Sequence, residues 1–295
     1  MSERVCVLLC TYNGEKYLRR QLDSLNRQRG VEVDIFAHDD GSSDKTAEIL
    51  KEYGIETVGA EHLGAAKGFM YLLENAPEAD YYAFCDQDDE WDEDKLSCGV
   101  QTMKSVAEDS GLALYCCSSR LVDAGGNFIK NHIIDGMRSP ATRMFYASIS
   151  GNTIIFNREM KKTAARHTPK ELVMHDSWLV KLCLALGGTL IVDEEPHIDY
   201  RMHGSNEWGM ELNLKGKLRK FKNVIKSRGE GQELIDICGL YGEEVMPEFR
   251  ELAKATELTR IGSVAGRGFM KANGIDFRNA GFNLAFAIKT SKGRL

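Results

Sequence analysis

Three aspartates within four residues are the strongest candidates for chemistry in this sequence. Asp86, Asp88 and Asp89 follow residues 81–85, an apolar and aromatic run that predicts a short buried strand. Carboxylates repel one another and are costly to desolvate without partners, so this cluster at a strand end indicates a bound cation. The cation would be Mg²⁺ or Mn²⁺, which bind hard oxygen ligands and the phosphate oxygens of a substrate. A solvated acidic turn is the alternative interpretation.

Strands are also predicted at residues 5–10 and 33–37, and each is followed by a further polar cluster. The members of these clusters are Thr11, Tyr12, Asn13, Asp39 and Asp40. The other elements of this alternating series are strands predicted at 56–58 and 81–85 and helices predicted at 15–28, 46–53 and 64–75. Such alternation with short links predicts a parallel sheet with right-handed crossovers, which binds ligands beyond the carboxyl ends of its strands. We therefore expect the three clusters to converge at one edge.

The chain beyond this series is less regular. The further predicted elements are helices at 93–107, 158–167 and 178–186 and strands at 112–118, 153–156, 189–192 and 197–201. Residues 128–143 have little periodicity and predict a mobile loop on the acceptor side. Asp176 lies at the start of helix 178–186, where the helix dipole stabilises a carboxylate.

The bulk composition excludes some classes of protein. The chain has 295 residues and a formal net charge of −6, which argues against general nucleic-acid binding. Its eight cysteines form no CxxC pair and lie mostly in apolar runs, so we expect reduced thiols rather than disulfides or a zinc site. No apolar run approaches the ~20 residues that span a bilayer, and the N-terminus leads directly into a strand. We expect a cytoplasmic protein without a signal peptide.

The last part of the sequence predicts helices without strands. Residues 212–228 carry seven basic side chains and no acidic one, a pattern with two open interpretations. One is a solvated basic face, and the other is peripheral contact with anionic lipid headgroups at the inner face of the cell membrane. Residues 277–288 are apolar enough to pack on the protein or on lipid.

Taken in order, the polar clusters at 11–13, 39–44 and 86–89 resemble those of the family 2 inverting glycosyltransferases, which have the GT-A fold. Residues 84–91 are similar to bacterial rhamnosyltransferase-like members that build O-antigen or capsular polysaccharide. The resemblance covers about residues 4–208. It implies an α/β protein with a Rossmann-like, mostly parallel sheet flanked by helices and with a helical C-terminal extension.

The resemblance also implies a domain organisation and an activity. Residues 1–210 would form the catalytic domain, with a nucleotide-sugar-binding half at 1–110 and an acceptor half at 111–210. Residues 211–295 would form a helical, partly basic region. The implied reaction is sugar transfer from a nucleotide-sugar donor, expected to be dTDP-rhamnose, to a glycan or lipid-linked glycan acceptor.

The family pattern implies roles for single residues. The donor-binding set is Thr11, Tyr12, Asn13, Asp39, Asp40, Asp86 and Gln87. Within this set, Asp40 would accept a hydrogen bond from the nucleobase or ribose. Asp88, in the DXD motif, would bind Mg²⁺ or Mn²⁺, and His203 would approach the metal or the diphosphate. Asp176 would be the general base that deprotonates the acceptor hydroxyl. It follows His175, where most members of the family have glutamate.

Three further expectations concern other polar and aromatic residues: Asn152 contacts the acceptor, Trp91 borders the sugar pocket, and Trp178 packs in the core. Two other functions remain open. A nucleotidyltransferase acting on a sugar phosphate would need a glycine-rich, basic first loop, which residues 10–14 do not provide. A catalytically inactive nucleotide-sugar-binding protein is the second alternative, although all the expected carboxylates are present.

Overall fold

The computed structural model describes residues 2–59, 62–106, 111–169, 172–203, 231–261 and 265–295. These residues form two compact units. Unit 1 comprises Met1–Gly136, Ile149–Leu179 and Gly188–Asn206, and unit 2 comprises Met137–Ser148, Val180–Gly187 and Glu207–Leu295. The predicted basic helix 212–228 and the predicted domain boundary after residue 210 lie outside the described residues.

Unit 1 is built on a sheet in which eight strands are described. Their bounds are β1 Arg4–Thr11, β2 Glu32–Asp39, β3 Tyr81–Cys85, β4 Glu90–Trp91, β5 Ala113–Val122, β6 Phe128–His132, β7 Ile154–Asn157 and β8 Thr189–Arg201. The strand order is β2-β1-β3-β7-β5-β8-β4, and β6 pairs with β5 outside this path. β1 pairs in parallel with β2 and β3, and β5 pairs in parallel with β8. The pairings made by β4, β6 and β7 are antiparallel.

The helices connect these strands and make up the described part of unit 2. In chain order they are α1 Leu18–Asn26, α2 Thr46–Glu52, α3 Ala65–Asn75, α4 Lys95–Val106, α5 Pro140–Arg143, α6 Arg158–Ala164, α7 His175–Ala185, α8 Gln232–Tyr241, α9 Pro247–Ile261, α10 Gly266–Ala272 and α11 Ala280–Ser291. No helix within the described ranges is long and apolar enough to cross a membrane.

The core of unit 1 explains why its first strand is apolar without alternation. Residues 5–9 of β1 are buried, as expected for a central parallel strand that is covered on both faces. On α1, Leu18, Leu22 and Leu25 are spaced at helical intervals and are buried in the same cluster. The carboxyl end of β1 is thereby held in a rigid environment.

Three elements differ from the sequence-based expectation. The predicted strand 56–58 is reduced to a bridge between Ala37 and Thr57, because the glycine turns at Gly54 and Gly59, both with positive φ, leave little chain between them. The predicted loop 128–143 contains β6 and α5. β6 is exposed on both faces, so it lacks the apolar alternation that marks a strand. The two strands predicted at 189–192 and 197–201 form the one strand β8.

Unit 2 buries the apolar segment predicted at 277–288. Phe277 and Phe286 are both buried, and the centroids of their rings lie 5.1 Å apart. The ring of Phe145 lies 5.1 Å from that of Phe286 in an edge-on arrangement. Of the two interpretations offered for this segment, packing on the protein is therefore the one that the structure supports.

An aromatic cluster in unit 1 encloses His175, the first residue of α7. Its imidazole stacks on Phe69 with ring centroids 4.0 Å apart and meets the edge of Phe84 at 4.6 Å. Neither ring nitrogen has a hydrogen-bond partner among the described residues. Burial alone lowers the pKa of His175 to about 3, so the imidazole is neutral in the folded protein near pH 7.

The buried imidazole predicts acid sensitivity. The pKa of His175 in the unfolded chain is about 6.5, so unfolding takes up a proton between about pH 6.5 and pH 3 and becomes more favourable as the pH falls. We expect His175 to lower the free energy of unfolding by about 2 kcal/mol when the pH falls from 7 to 5. In urea titrations at the two pH values, His175→Leu should shift the change in the free energy of unfolding by about this amount towards greater stability at pH 5, whereas the control His167→Gln should leave the change as it is in the original protein. An unchanged difference in His175→Leu would contradict the assignment.

Candidate active site

The first two polar clusters meet at the carboxyl ends of adjacent parallel strands. Thr11 and Asp39 are register partners at the ends of β1 and β2. The Thr11 hydroxyl donates a hydrogen bond to Asp39 Oδ1 at 2.8 Å. Asp86 follows β3, which pairs with β1 on its other side, and it is half-buried. The expected convergence of the three clusters at one sheet edge is therefore observed.

Gln87 joins the loop after β3 to the loop after β1. Its side-chain amide accepts from Tyr12 N at 2.9 Å and donates to Tyr12 O at 2.9 Å. A Cβ atom at Gly14 would lie 2.2 Å from Gln87 Oε1, so this pairing requires glycine at position 14. Gln87 thus fixes the backbone of the first loop, a role that its residue type alone did not indicate.

Asn13 ties the first loop to the loop after β2. Its backbone N–H donates to Ser42 Oγ at 2.8 Å, and its side-chain oxygen accepts from Ser43 N at 2.9 Å. Its φ of 49° lies in the left-handed region that asparagine tolerates better than most residues. The side chain of this predicted donor-binding residue is therefore engaged within the protein.

The carboxylate of Asp40 is also bound within the protein. Only 3% of this residue is exposed, and its two carboxylate oxygens accept from Leu63 N at 2.5 Å and Gly64 N at 3.0 Å, just ahead of α3. The Nδ1 atom of His62 lies 2.8 Å from Asp40 Oδ2. Asp40 thus satisfies backbone donors at the start of a helix. Its neighbour Asp39 is less buried.

Two exposed rings lie beside these strand ends. Tyr12 is 49% exposed, and its ring centroid is 5.2 Å from that of His62. The two rings are tilted by 53° to each other, so each offers its own face to a base. Sequence reasoning missed His62, because it lies in the loop before α3 with no motif around it.

The structure brings Asp88 and His203 together. Asp88 Oδ2 lies 2.7 Å from His203 Nε2, and both side chains are partly exposed. The His203 ring stacks on Tyr17, with centroids 4.9 Å apart, which fixes its orientation. The 2.7 Å separation is that of a direct hydrogen bond between the two side chains. A carboxylate oxygen and an imidazole nitrogen that face each other in this way could bind one Mn²⁺ or Mg²⁺ ion after a small outward movement.

The adjacent Asp89 holds this arrangement in place. It is buried and accepts from Arg201 N at 3.0 Å and from the side-chain amide of Asn152. Burial, together with the nearby charge of Asp88, raises the pKa of Asp89 to about 8. The carboxyl group therefore connects the loop after β3 to the end of β8 and to the segment before β7.

Arg201 reinforces the same connection with its buried side chain. Its Nη2 donates to Glu90 Oε1 at 2.7 Å, and its Nε donates to Asp88 O at 3.0 Å. The guanidinium thus binds the backbone of the acidic loop and ties this loop to the end of β8. His203 is two residues further along the chain.

Asp176 lies next to this network. Its Oδ2 accepts from Gly151 N at 3.1 Å, and Gly151 precedes Asn152, which binds Asp89. Asp176 is in the first turn of α7, where the helix dipole favours an ionised carboxylate. The neighbouring His175 faces the aromatic cluster of Phe69 and Phe84.

Two predicted contacts with substrate are replaced by contacts within the protein. Trp91 is 3% exposed, and the Nζ atom of Lys95 lies 3.3 Å from its ring centroid, so Trp91 packs in the core instead of bordering a sugar. Asn152 is 1% exposed and binds Asp89 instead of being open to an acceptor. Trp178 is fully buried, as expected.

Comparisons with known proteins find similarity to glycosyltransferases. A family model described as Glycosyl transferase family 2 matches residues 6–170, more than half of the chain. The dTDP-rhamnosyl transferase RfbG of Shigella flexneri is 25% identical over 254 residues, 80% of this chain and 85% of that protein. The amylovoran biosynthesis glycosyltransferase AmsB of Erwinia amylovora is 24% identical over 220 residues, 66% of this chain and 69% of that protein.

Two solved structures share the fold. TarS of S. aureus, in complex with UDP-GlcNAc, has a TM-score of 0.57 at 15% identity, covering 100% of this chain and 90% of that chain. The mannosyltransferase PcManGT of Pyrobaculum calidifontis, in complex with GDP-Man and Mn²⁺, has a TM-score of 0.50 at 14% identity, covering 99% and 85%. The predicted GT-A fold is confirmed, and the protein is a glycosyltransferase. The chain belongs to glycosyl transferase family 2.

Proposed function

We propose that this glycosyltransferase transfers rhamnose from dTDP-rhamnose, with inversion, to a glycan or lipid-linked glycan acceptor. The observation that carries the proposal is that contacts join the two expected metal ligands to the expected base. Asp88 contacts His203, and the next residue, Asp89, binds Asn152. Gly151, which precedes Asn152, binds Asp176. The similarity to a dTDP-rhamnosyl transferase over 80% of this chain supports the choice of donor.

The donor would lie across the ends of β1, β2 and β3. Tyr12 and His62 offer their exposed rings to the base, and Asp39 is less buried than Asp40. The oxygens of both carboxylates accept hydrogen bonds within the protein, those of Asp39 from Thr11 and Ser42. The greater exposure of Asp39 therefore shifts the expected nucleobase contact from Asp40 to Asp39. Backbone groups of the first loop, held by Gln87, complete the base site.

Asp88 and His203 would hold the divalent ion, and the complex of PcManGT with Mn²⁺ supports that cofactor class. A bound Mg²⁺ or Mn²⁺ supplies Lewis-acid neutralisation of the leaving diphosphate. The chain itself supplies the fixed geometry. Tyr17 orients the imidazole, and Asp89 and Arg201 hold the acidic loop at the end of β8.

Asp176 would act as the general base. Its carboxylate accepts the proton of the acceptor hydroxyl as that oxygen bonds to the anomeric carbon, and the bond from that carbon to the diphosphate breaks on the opposite face. The Gly151 N–H bond orients one carboxylate oxygen, and the helix dipole at the start of α7 favours a negative charge there. His175 takes no part in this step, because it is neutral and enclosed by aromatic rings.

Peripheral membrane contact is part of the same proposal. A lipid-linked acceptor would be presented at a membrane surface, and residues 212–228 supply the basic charge that binds anionic headgroups. Co-sedimentation with vesicles that contain anionic lipid, compared with vesicles of neutral lipid, measures this contact. Equal recovery with both kinds of vesicle would contradict it.

The donor class is tested by thermal shift. dTDP-rhamnose, UDP-GlcNAc and GDP-mannose are compared at equal concentration, each with and without Mn²⁺. The proposal expects the largest rise in Tm with dTDP-rhamnose and Mn²⁺ together. A larger rise with one of the other donors would overturn the choice of nucleotide sugar without changing the family.

The base assignment predicts a specific defect. Asp176→Asn should lower kcat by ~10²–10⁴-fold, because the amide cannot accept the hydroxyl proton, while donor binding is retained. Initial rates of sugar transfer and donor titrations measure the two effects. Asp236→Asn, at a carboxylate on α8, is the matched control. Turnover of Asp176→Asn equal to that of the control would rule out this base.

The metal assignment predicts a change in cofactor demand. Asp88→Asn and His203→Ala should each raise the Mn²⁺ concentration for half-maximal stabilisation by donor at least about tenfold, because each removes a ligand. The readout is the donor-dependent Tm across a Mn²⁺ titration, with His132→Gln as the control histidine variant. If both variants kept the Mn²⁺ dependence of the original protein, the ion would have to bind elsewhere.

A further inference from the structure

A second group of metal-ligating side chains lies in unit 1 and takes no part in the proposed reaction. Cys98, Asp193 and His197, here called the thiol–imidazole cluster, each offer one ligand atom to a common point. The distances are 3.7 Å from Cys98 Sγ to His197 Nε2, 3.9 Å from Cys98 Sγ to Asp193 Oδ2, and 3.6 Å from His197 Nε2 to Asp193 Oδ2. The three atoms form a nearly equilateral triangle.

These separations match the edges of a metal tetrahedron. Zinc bonds of about 2.3 Å to sulfur and about 2.0–2.2 Å to nitrogen and oxygen give ligand-to-ligand edges of about 3.4–3.6 Å. Each observed edge exceeds the corresponding value by a few tenths of an ångström at most. A small inward movement of the three side chains would therefore complete the coordination.

Rigid elements carry all three ligands. Cys98 is on α4, and the other two are on β8. The pairing of β5 with β8 slips here, since Cys117 faces Asp193 and the next residue, Ser118, faces Pro196. This bulge brings two side chains that are four apart in sequence to the same place.

The surroundings of the cluster resemble those of zinc ligands in general. His197 Nδ1, the nitrogen that faces away from the triangle, lies 3.3 Å from Asp94 Oδ1. Such a carboxylate fixes the ring and the tautomer of a metal-bound histidine. The Tyr115 hydroxyl donates to Asp193 Oδ2 at 2.7 Å and so orients the carboxylate ligand. Both supporting contacts are present together with the ligand triangle.

We propose that Cys98, Asp193 and His197 bind one Zn²⁺ ion, with a water molecule as the fourth ligand. A thiolate and an imidazole select Zn²⁺ over Mg²⁺ or Mn²⁺, which prefer oxygen ligands. Binding transfers the thiol proton of Cys98 to solvent. The side chains of Asp193 and His197 are 23% and 15% exposed, which gives the ion a path of entry. The ion links α4 to β8 and stabilises unit 1.

An alternative grouping shares one ligand but fits less well. Asp92, Asp94 and His197 also lie within reach of a common point. Asp92, however, is already bound by the guanidinium of Arg120, with Nη2 at 2.6 Å and Nη1 at 3.0 Å. A cation there would compete with a fixed positive charge, so the thiol–imidazole cluster is the site that we propose. It was not expected from the sequence, because the cysteines show no zinc-ligand spacing.

Cobalt spectroscopy tests the proposal directly, since Co²⁺ substitutes for Zn²⁺ and a thiolate ligand gives sulfur-to-cobalt charge-transfer absorption in the near ultraviolet. Titration of the purified protein with Co²⁺ should produce this absorption with saturation at one equivalent, and Zn²⁺ should then abolish it. Cys98→Ser should lose the band, whereas Cys238→Ser, a control at another partly exposed cysteine, should keep it. Asp88→Asn should also keep it, because the proposed Mn²⁺ ligands Asp88 and His203 include no thiolate.

A second measurement covers the case in which Cys98→Ser does not fold. Zn²⁺ should raise the Tm of the original protein and of Asp88→Asn, and His197→Gln should lose at least nine-tenths of that rise. Absence of the charge-transfer band in the original protein, its persistence in Cys98→Ser, or an unchanged Zn²⁺ effect in His197→Gln would each overturn the zinc site. None of these outcomes bears on the glycosyltransferase proposal, which the donor and Asp176 experiments test separately.

Discussion

The candidate site depends on the buried carboxyl group of Asp89. A carboxyl group away from water is costly unless donors compensate it, and the two donors here come from positions far along the chain, Arg201 N and the Asn152 side chain. The contacts of Asp89 with β8 and with the segment before β7 therefore hold the loop that carries Asp88 in its position. The same contacts bring His203 within 2.7 Å of Asp88. The site thus depends on contacts with residues far along the chain.

A common principle connects the polar residues at the strand ends. Several of them hold loops together, and the groups left open to a ligand are their neighbours. Gln87 binds the backbone of Tyr12, which leaves the Tyr12 ring exposed. Asp40 binds the start of α3 and contacts His62, the partner of that ring. The polar clusters hold the loops at this edge of the sheet in place, and the exposed rings are the groups left open to a ligand.

Sequence reasoning succeeded where one residue type has one favourable environment. The apolar runs that became β1 and β3 and the polar breaks that follow them were predicted correctly, because strand ends at one edge of a parallel sheet must lie together. It failed where a residue has several acceptable partners. Asn152 and Trp91 were expected to contact substrate, and both contact buried groups of the protein. A polar or aromatic type does not reveal which neighbour folding will supply, and β6, exposed along its length, carried no apolar signal.

The strand β8 carries or adjoins residues of both proposed metal sites of unit 1. It carries Asp193 and His197 in its middle and Arg201 at its end, and His203 follows two residues later. Since side chains alternate along a strand, a slip of one residue would reverse the face on which each of these groups lies. The bulge between Asp193 and Pro196 is the place where such a slip could be absorbed. A zinc ion bound on both sides of that bulge would fix the register, and with it the position of His203 opposite Asp88. The proposed zinc site would then affect the proposed Mn²⁺ or Mg²⁺ site by fixing the position of His203, although the two sites share no ligand.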